Sequence, residues 1–322
     1  MKEIPLHIKH KYPGSWLFKR KVLNWLFIRE YYIQLPFFFR LFSLFIRFYF
    51  KLFNYDYCIP GRWMFLIFSF LNLKITRKKY GYISVNNCII CLYLADPRFL
   101  NIINELTISN PESDLLFYLL KQGDTFIDIG ANHGSYALLA SKLVGKKGLV
   151  IAVEPQPMLC HAIRMTFMNN NYSSCLLFET ALGKTIGEVQ LFIPSDTSGT
   201  AGIFSSHSAT HKYTSINVTL NNFDNLLKDI ELPGRIMVKV DIEGSEYDFI
   251  LGAKDFFLKY RPIMLMEINP HSLAAAQISK DQMRELIKNV GFTCFSELSD
   301  PNHCISVDHL NFDGFRNVLL SM

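Results

Sequence analysis

The sequence predicts an α/β fold, in which helices cover both faces of a mainly parallel sheet, preceded by a basic, aromatic and helical N-terminal extension. Two observations carry this prediction. From Thr125 onward, short apolar runs alternate with helical patterns, which is typical of parallel sheets. Before that point, the chain is rich in arginine, lysine and phenylalanine, a composition unlike that of the alternating part.

The charge of the 322-residue chain changes sign near residue 80. Residues 1–80 contain 15 Lys and Arg against 3 Asp and Glu, a net charge of +12, whereas residues 81–322 carry a net charge of −7. A chain of this length can form one large α/β domain and an appendage. We therefore predict an N-terminal extension over residues 1–80 and an α/β domain over residues 81–322.

The extension contains a nearly continuous apolar segment, Tyr31–Phe53, which is interrupted by Arg40, Arg47 and Lys51. At about 100° per residue, these basic side chains share one face of a helix. A membrane-spanning helix would bury Arg40 and Arg47 at about 2.5–3.5 kcal/mol each, a cost that a helix in the surface of an anionic membrane avoids. Packing on the α/β domain or on a dimer partner is an equally weighted alternative. No nucleic-acid partner is expected, because apolar runs dilute the basic residues.

Local patterns predict the elements that precede the sheet. Trp63–Leu73 is an apolar run that is too short to span a membrane and suits a core or interfacial helix. Tyr82–Leu94 predicts one or two strands, which lead into a helix near Asp96–Glu105. A further helix over Pro111–Leu120 is stopped by Gly123.

Short apolar runs predict the main strands Thr125–Ile129, Leu149–Val153, Cys175–Thr180, Ile236–Val240 and Ile263–Ile268. Helical periodicity predicts the helices Ser135–Val144, Met158–Asn169, Tyr247–Leu258 and Ser279–Val290. Additional strands are predicted at Gly187–Ile193 and Ile216–Leu220, around the polar loop Pro194–Ser215, and as a final antiparallel pair at Gly291–Glu297 and Asn317–Met322.

A glycine turn follows the first main strand. Asp128 ends the strand, Gly130, Asn132 and Gly134 form the turn, and Glu154 ends the next strand. Glycines let the backbone approach a nucleotide-like ligand, the helix N-terminus offers free N–H groups, and the acid can accept the ribose hydroxyls. The G-x-x-x-G spacing differs from the dinucleotide G-x-G-x-x-G pattern. It favours S-adenosylmethionine, an adenosine ligand without phosphates.

The segment Lys239–Glu243 carries the second signal, because charged residues alternate with Val and Ile in a strand that should be buried on both faces. Buried charges are costly unless they are paired or used. A functional role is favoured for Asp241. For Lys239, pairing with a neighbouring acid as an internal brace is as well supported as a functional role.

Residues from about 108 to 270 resemble the FkbM family of S-adenosylmethionine-dependent methyltransferases. The matching motifs are GDTFIDIGANHG at Gly123–Gly134, GLVIAVEP at Gly148–Pro155, ALG at Ala181–Gly183, VKVDIEGSE at Val238–Glu246 and the strand Pro262–Ile268. The sequence departs from the family at Leu220–Phe223, where Leu-Asn-Asn-Phe replaces the usual Leu-Asp-Asp. The resemblance does not extend to residues 1–80.

This resemblance implies a Rossmann-like class I methyltransferase sheet and an O-methyltransferase. Its acceptor would be a sugar hydroxyl of a glycan or glycolipid precursor, or a natural-product hydroxyl. Alternatives are a non-catalytic membrane-associated binding protein on the same fold and, less favoured, a nicotinamide oxidoreductase. The expected cofactor-binding residues are Asp128, Gly130, Asn132, Gly134, Glu154, Glu179 and Ala181, with the last two at the adenine.

The expected catalytic residues are Asp241, Glu267 and His271. Either carboxylate could act as the general base that removes the acceptor proton. His271 is a weaker candidate, because a single loop histidine is more often simply solvated. Alternatively, Asp241, Glu267 and Asn269 could hold a divalent cation through oxygen ligands, although no metal is expected.

The seven cysteines show no regular spacing, which argues against a disulfide framework and favours a reducing compartment. Cys88 and Cys91 lie within an apolar run without a second pair, so we expect them to be structural. The N-terminus lacks the features of a signal peptide. We therefore expect a cytoplasmic protein, with peripheral membrane association as one of the two equally weighted interpretations of the extension.

Overall fold

The computed structural model describes residues 18–19, 36–53, 57–58, 61–107, 109–194, 198–204 and 213–322. The chain forms two compact units, Met1–Ile108 and Ser109–Met322. The first unit therefore contains the elements predicted after residue 80, up to the helix before Ile108. The division of the chain into an extension and a domain at residue 80, inferred from charge, stays a prediction.

In its described residues, the first unit combines helices with two short antiparallel pairs of strands. Its elements are β1 (Phe18–Lys19), α1 (Phe37–Phe53), β2 (Tyr57–Cys58), α2 (Gly61–Leu71), a π-helical turn (Asn72–Thr76), β3 (Tyr80–Val85), β4 (Cys88–Tyr93) and α3 (Phe99–Thr107). Strand β1 pairs with β2, and β3 pairs with β4 across Asn86 and Asn87. Both asparagines have positive φ, as a two-residue hairpin turn with right-handed strand twist requires.

The helices of the first unit have an aromatic core and an apolar outer face. Phe39 packs edge-to-face against Phe65 and Phe99, with ring centroids 5.9 and 5.7 Å away. Among the described residues of this unit, the exposed large apolar side chains are Phe37, Leu44, Phe48, Leu52, Phe53, Trp63, Leu66, Ile67, Phe70 and Ile75. On α1 they lie beside the exposed Arg40 and Lys51. Among the described residues, no helix has the length and hydrophobicity needed to cross a membrane. Residues 31–35 of the predicted apolar segment lie outside the described part.

The second unit contains the predicted sheet. Its helices are α4 (Pro111–Leu119), α5 (Ser135–Val144), α6 (Pro157–Asn169), α7 (Phe223–Leu227), α8 (Glu246–Leu251), α9 (Lys254–Tyr260), α10 (Pro270–Ala275) and α11 (Lys280–Asn289). Its strands are β5 (Thr125–Ile129), β6 (Leu149–Val153), β7 (Cys175–Phe178), β8 (Ala181–Leu182), β9 (Gly187–Pro194), β10 (Tyr213–Asn221), β11 (Ile236–Val240), β12 (Ile263–Ile268), β13 (Cys294–Glu297), β14 (Ile305–Ser306) and β15 (Arg316–Ser321).

The main sheet has eight strands in the order β14-β13-β15-β12-β11-β5-β6-β7. The five strands from β12 to β7 are parallel, whereas β15 runs antiparallel to both β12 and β13. This is the Rossmann-like α/β architecture that the alternating pattern predicts, and the final antiparallel pair is confirmed.

Two details of this sheet region differ from the predicted elements. The single helix expected over Tyr247–Leu258 is broken into α8 and α9 at Gly252, where a β-carbon would overlap the carbonyl oxygen of Gly183. The backbone of a neighbouring segment approaches too closely there for a helix side chain. The short helices α7 and α10 carry too few residues for a recognisable helical period.

The inserted strands form a second sheet of their own, in the order β8-β10-β9. Strands β9 and β10 are antiparallel over their length, and β8 pairs in parallel with the end of β10. Within the predicted polar loop, Ser198–Thr200 forms a 3-10 turn, and Gly202 makes a β-bridge to Phe192. Residues 195–197 and 205–212 of that loop lie outside the described part.

A disulfide joins Cys294 of β13 to Cys304, which corrects the expectation drawn from cysteine spacing. The antiparallel pairing of β13 with β14 aligns Cys294 with Ser306 and so brings Cys304 close, with 5.5 Å between the two Cα atoms. Sequence spacing does not reveal a pairing set by strand register. Cys88 and Cys91 lie buried in β4, in keeping with a structural role.

Candidate functional site

The main sheet has a topological switch point between β5 and β11. From β5 the chain continues to β6 and β7 on one side, and later adds β11 and β12 on the other side. The connections that leave the carboxyl ends of β5 and β11 therefore lead away from each other, and open α/β sheets bind their ligands at such a point. The backbone N–H of Asp241 donates to the carbonyl oxygen of Ile129, 3.1 Å away, so the two strand ends are joined at this point.

The glycine turn fits closely against the end of β11. Gly130 has a φ of +81°, and a β-carbon there would overlap the backbone carbonyl oxygen of Asp241. Gly134 has a φ of +78° and begins α5, where a β-carbon would lie 3.0 Å from Cγ1 of Ile163. Glycine is needed at both positions, because the backbone is left-handed and neighbouring atoms approach closely.

Asp128 and Asn132 fix the shape of this turn. The buried Asp128 carboxylate accepts a hydrogen bond from the backbone N–H of Ala137, 3.1 Å away, which anchors the first turn of α5. Asn132 has a positive φ of 52°, and its side-chain Oδ1 accepts the backbone N–H of His133. The backbone N–H of Asn132 points at β6 and donates to Oε2 of Glu154 over 2.9 Å.

Glu154 is a buried acid at the end of β6. Its Oε1 accepts the backbone N–H of Gln156, 3.0 Å away, while its Oε2 accepts that of Asn132. Burial raises the pKa of Glu154 to about 7, although the two backbone N–H groups act in the opposite direction. A buried carboxylate held by backbone donors at a strand end is a well-defined acceptor for hydroxyl groups.

Ser198 also contacts this region, although no sequence pattern singles it out. Its hydroxyl accepts a hydrogen bond from Nδ2 of Asn132 over 3.0 Å, and its carbonyl oxygen accepts one from Nε2 of Gln156 over 3.4 Å. Ser198 belongs to a polar loop without periodicity or a recognisable motif. Only the folding of the inserted sheet brings it to the glycine turn.

The predicted adenine-side residues occupy two different places. Glu179 follows β7 and forms an ion pair with Arg164 of α6, and both side chains are partly exposed. Ala181 lies buried in β8 and pairs with Leu220 of β10. Ala181 is therefore part of the inserted sheet rather than of the main sheet. A two-residue strand is too short for its pattern to predict this placement.

The acids after β11 and on β12 form a cluster on the other side of the switch point. One carboxylate oxygen each from Asp241, Glu243 and Glu267 lie within 4.8 Å of one another. Lys239 is buried beneath them, with its Nζ 2.9 Å from Oδ2 of Asp241 and 5.2 Å from the ring centroid of Tyr136. The ion pair expected for Lys239 is therefore present, and its partner is the proposed catalytic acid itself.

Burial and mutual repulsion make this acid cluster retain protons. Burial, followed by the charges of Asp241 and Glu243, raises the pKa of Glu267. Burial also raises the pKa of Glu243 to about 7, with the charge of Asp241 acting in the same direction. Carboxyl groups whose pKa is raised toward or beyond neutrality in this way are suited to acid–base chemistry.

Asn269 and His271 border the cluster at the start of α10. Nδ2 of Asn269 lies 3.4 Å from Oε2 of Glu243, while its Oδ1 caps α10 by accepting the backbone N–H of His271. The side chain of His271 is exposed. The oxygen atoms of Asp241, Glu243 and Glu267 are a ligand set suited to a divalent cation, with Glu243 in the place expected for Asn269, so a cation alternative stands beside the general base.

Comparison with known proteins assigns this arrangement to a family. Residues 128–294, more than half of the chain, match the family described as the methyltransferase FkbM domain. The chain belongs to the FkbM methyltransferase family. The matched residues of this FkbM protein extend from the end of β5 to the start of β13, and thus include both the glycine turn and the acid cluster.

Among curated proteins, ribosomal RNA large subunit methyltransferase E of Acinetobacter baumannii is 38% identical over 88 residues, which cover 27% of this chain and 40% of that protein. The enzyme of the same description from Methanobrevibacter smithii is 28% identical over 158 residues, 47% of this chain and 69% of that protein. The present chain thus spans about 40% of the length of the Acinetobacter relative.

Solved structures of methyltransferases resemble the FkbM protein at low sequence identity. Methyltransferase FkbM from Methylobacillus flagellatus KT is 17% identical, with a TM-score of 0.41, and the match covers 70% of this chain and 54% of that chain. M. jannaschii TYW2 in complex with AdoMet is 10% identical, with a TM-score of 0.36, covering 76% and 84%.

Family membership makes the matched region a methyltransferase domain with S-adenosylmethionine as its cofactor. The structure brings the glycine turn and Glu154 together on one side of the switch point, and Asp241 together with Glu267 on the other. The roles of the individual residues stay predictions.

Proposed function

We propose that the FkbM protein is an O-methyltransferase that acts on a sugar hydroxyl of a glycan or glycolipid precursor, or on a natural-product hydroxyl. The observation that carries this proposal is the acid cluster around Asp241, which adjoins the glycine turn at the switch point. A hydroxyl acceptor must lose its proton during methyl transfer, and carboxylates beside the cofactor can take it. The acidic character of residues 81–322 disfavours an RNA acceptor, although the curated relatives are named for ribosomal RNA.

The residues of the glycine turn suit S-adenosylmethionine. Gly130 and Gly134 leave no room for β-carbons and hold the backbone in a left-handed conformation, which suits close approach of a nucleoside. Asp128 anchors α5, and Asn132 fixes the turn on Glu154. Glu154 would accept the ribose hydroxyls, and Glu179 and Ala181 would border the adenine. The cofactor supplies the electrophilic methyl group on its sulfonium.

Asp241 is the favoured general base. During transfer, a bond forms between the acceptor oxygen and the methyl carbon, the carbon–sulfur bond breaks with its electron pair going to sulfur, and Asp241 takes the hydroxyl proton. Lys239 balances part of the negative charge around Asp241. Glu267, from the neighbouring strand, is the second candidate base, and His271 at the start of α10 is the third.

The test combines cofactor titration with methyl transfer. In Asp241→Asn we expect turnover to fall by about 10²-fold or more, because the variant keeps the shape of the side chain but loses its basicity. Calorimetric titration should show little change in affinity for S-adenosylmethionine. Transfer of labelled methyl to a panel of glycans, lipid-linked sugars and RNA identifies the acceptor class. Asp229→Asn, at an exposed position, is the matched control.

Several outcomes of this test would contradict parts of the proposal. Full turnover in Asp241→Asn would remove Asp241 from the mechanism and direct attention to Glu267 and His271. Loss of activity with a chelator, restored by magnesium or manganese, would support the cation alternative. Transfer to RNA but to no sugar would overturn the acceptor class.

We further propose that the extension binds the surface of anionic membranes. The exposed apolar side chains on α1 and α2, next to exposed Arg40 and Lys51, support this proposal. Apolar side chains can enter the interface while basic side chains meet the headgroups. Such an attachment would place the enzyme beside a membrane-linked acceptor.

Vesicle binding tests the membrane proposal. Phe48→Ser removes a side chain that is 64% exposed on α1, and we expect it to weaken binding to vesicles with anionic lipids several-fold. Phe117→Ser, at a side chain 57% exposed on α4, is the matched control and should have no effect. High salt should weaken binding of the wild type. Equal weakening by both variants, or insensitivity to salt, would favour packing of the extension on protein.

A further inference from the structure

Four residues around the end of β6 form a closed ring of hydrogen bonds. Glu154 accepts the backbone N–H groups of Asn132 and Gln156 through its two carboxylate oxygens. The side-chain amides of the same two residues both donate to Ser198, one to its hydroxyl and one to its carbonyl oxygen. We call this ring of Glu154, Asn132, Gln156 and Ser198 the Ser198 clasp.

The clasp joins two parts of the second unit that are far apart in sequence. Asn132, Glu154 and Gln156 follow β5 and β6 of the main sheet. Ser198 begins the 3-10 turn between β9 and β10 of the inserted sheet. The paired backbone hydrogen bonds between Phe192 and Gly202, 2.9 and 3.1 Å long, hold this turn against β9. The inserted sheet is thus attached to the glycine turn through Ser198.

The contact with Ser198 completes the fixation of Asn132. The side-chain Oδ1 of Asn132 accepts the N–H of His133, its Nδ2 donates to Ser198, and its backbone N–H holds Glu154. Asn132 is also in the left-handed region, which asparagine tolerates better than most residues other than glycine. Without the hydroxyl of Ser198, the amide of Asn132 loses one of its partners.

We propose that Ser198 is a positioning residue for the cofactor. Ser198 fastens the inserted sheet over the glycine turn and orients Asn132 and Gln156, the two residues that hold Glu154. This inference rests on the proposed role of Glu154 as the acceptor for the ribose hydroxyls. The clasp should affect both the affinity for the cofactor and the rate at which the cofactor dissociates. Because the clasp ties the inserted sheet to the turn, release of the cofactor is coupled to opening of the clasp.

The test measures cofactor binding to the full-length protein. In Ser198→Ala we expect the dissociation constant for S-adenosylmethionine to rise roughly threefold to tenfold, the net effect of one hydrogen bond. The rise should lie mainly in a faster dissociation rate, measured by displacement with S-adenosylhomocysteine in stopped flow. Turnover at saturating cofactor should stay near that of the wild type. Ser198→Thr retains a hydroxyl and should restore slow dissociation.

Two further variants make the test specific. Ser215→Ala removes an exposed hydroxyl of β10 that accepts a hydrogen bond from Nε2 of Gln190, and it should leave cofactor binding unchanged. Asn132→Gly is compatible with the positive φ and removes the side-chain amide that contacts Ser198. Ser198→Ala should therefore weaken cofactor binding less when it is introduced into Asn132→Gly than when it is introduced into the wild type. If Ser198→Ala does not fold, Asn132→Gly alone should show the faster dissociation.

The results separate this inference from the proposed function. If Glu154→Ala weakens cofactor binding but Ser198→Ala changes neither affinity nor dissociation rate, the clasp plays no part and the inference is wrong. If Glu154→Ala binds the cofactor as tightly as the wild type, the assignment of the ribose acceptor is wrong as well. Equal dissociation rates in Ser198→Ala and Ser198→Thr would also overturn the role of the hydroxyl.

Discussion

Ionisation of the buried Glu154 should lower the stability of the folded protein, and this effect can be measured without any substrate. Burial raises the pKa of Glu154 from 4.5 to about 7. The folded state therefore binds a proton more tightly than the unfolded chain between these two values, and stability falls as pH rises through this window. A pKa shift of this size corresponds to a contribution of about 3 kcal/mol to the free energy of unfolding. This contribution is fully present below about pH 4.5 and is lost above about pH 7.

Glu154→Gln is the variant that isolates this contribution. Glutamine cannot accept both backbone N–H groups of Asn132 and Gln156, because its amide nitrogen is itself a donor. This mismatch costs a roughly constant amount at every pH, so the decisive quantity is the difference between the two pH dependences. From about pH 5 to pH 8, we expect the wild type to lose about 3 kcal/mol more stability than Glu154→Gln.

Chemical denaturation at several pH values, followed by the fluorescence of the protein, measures this difference. Other buried acids, including Glu243 and Glu267, also contribute to the pH dependence of the wild type, but they are present in both proteins and largely cancel. Parallel pH dependences of the wild type and Glu154→Gln would refute the reasoning, since they would show that Glu154 ionises normally in the folded state. Loss of cofactor affinity in the same variant would show that the destabilising charge is retained for binding.

Two further predictions concern the switch point. Gly130→Ala should destabilise the protein by about 3 kcal/mol or more, because the backbone is left-handed and a β-carbon would overlap the carbonyl oxygen of Asp241. The control is Gly187→Ala, where nothing lies within 4 Å, and it should change the free energy of unfolding by less than about 0.5 kcal/mol. Equal effects of the two substitutions would contradict the close fit at Gly130. Lys239→Met removes the charge that lowers the pKa of Glu267, the second candidate base, so an acidic limb of the kcat–pH profile that is set by Glu267 should move to higher pH, whereas Lys239→Arg should leave it nearly in place. A limb that stays in place in Lys239→Met would show that Glu267 is not the base.

The parts of the fold that the sequence predicts are those set by local patterns. Strands β5, β6 and β11 are buried on both faces, so they require continuous apolar runs, and these are visible in the sequence. The glycine turn is visible because its backbone tolerates only certain residues, as at Gly130. Once these strands are parallel, their carboxyl ends share one edge, and this places Glu154 and Asp241 on either side of the switch point.

The features that the sequence does not predict depend on contacts between distant segments. Ser198 reaches Asn132 only because the inserted sheet folds back over the glycine turn. Cys304 reaches Cys294 through strand register, and Ala181 joins β10 through a strand of two residues. Each of these contacts is decided by tertiary packing rather than by hydrophobic periodicity, so no window of the sequence contains the information.

The close fit between Gly130 and Asp241 has a consequence for how the reaction is aligned. Methyl transfer requires the sulfonium, the methyl carbon and the acceptor oxygen to lie in line, and small misplacements are costly. In this protein the glycine turn and the residue proposed as the base are not linked through a flexible loop. The backbone carbonyl of Asp241 lies directly against Gly130, and its N–H is bonded to Ile129 at the end of β5. The distance between the glycine turn and Asp241 is therefore fixed by the main sheet itself.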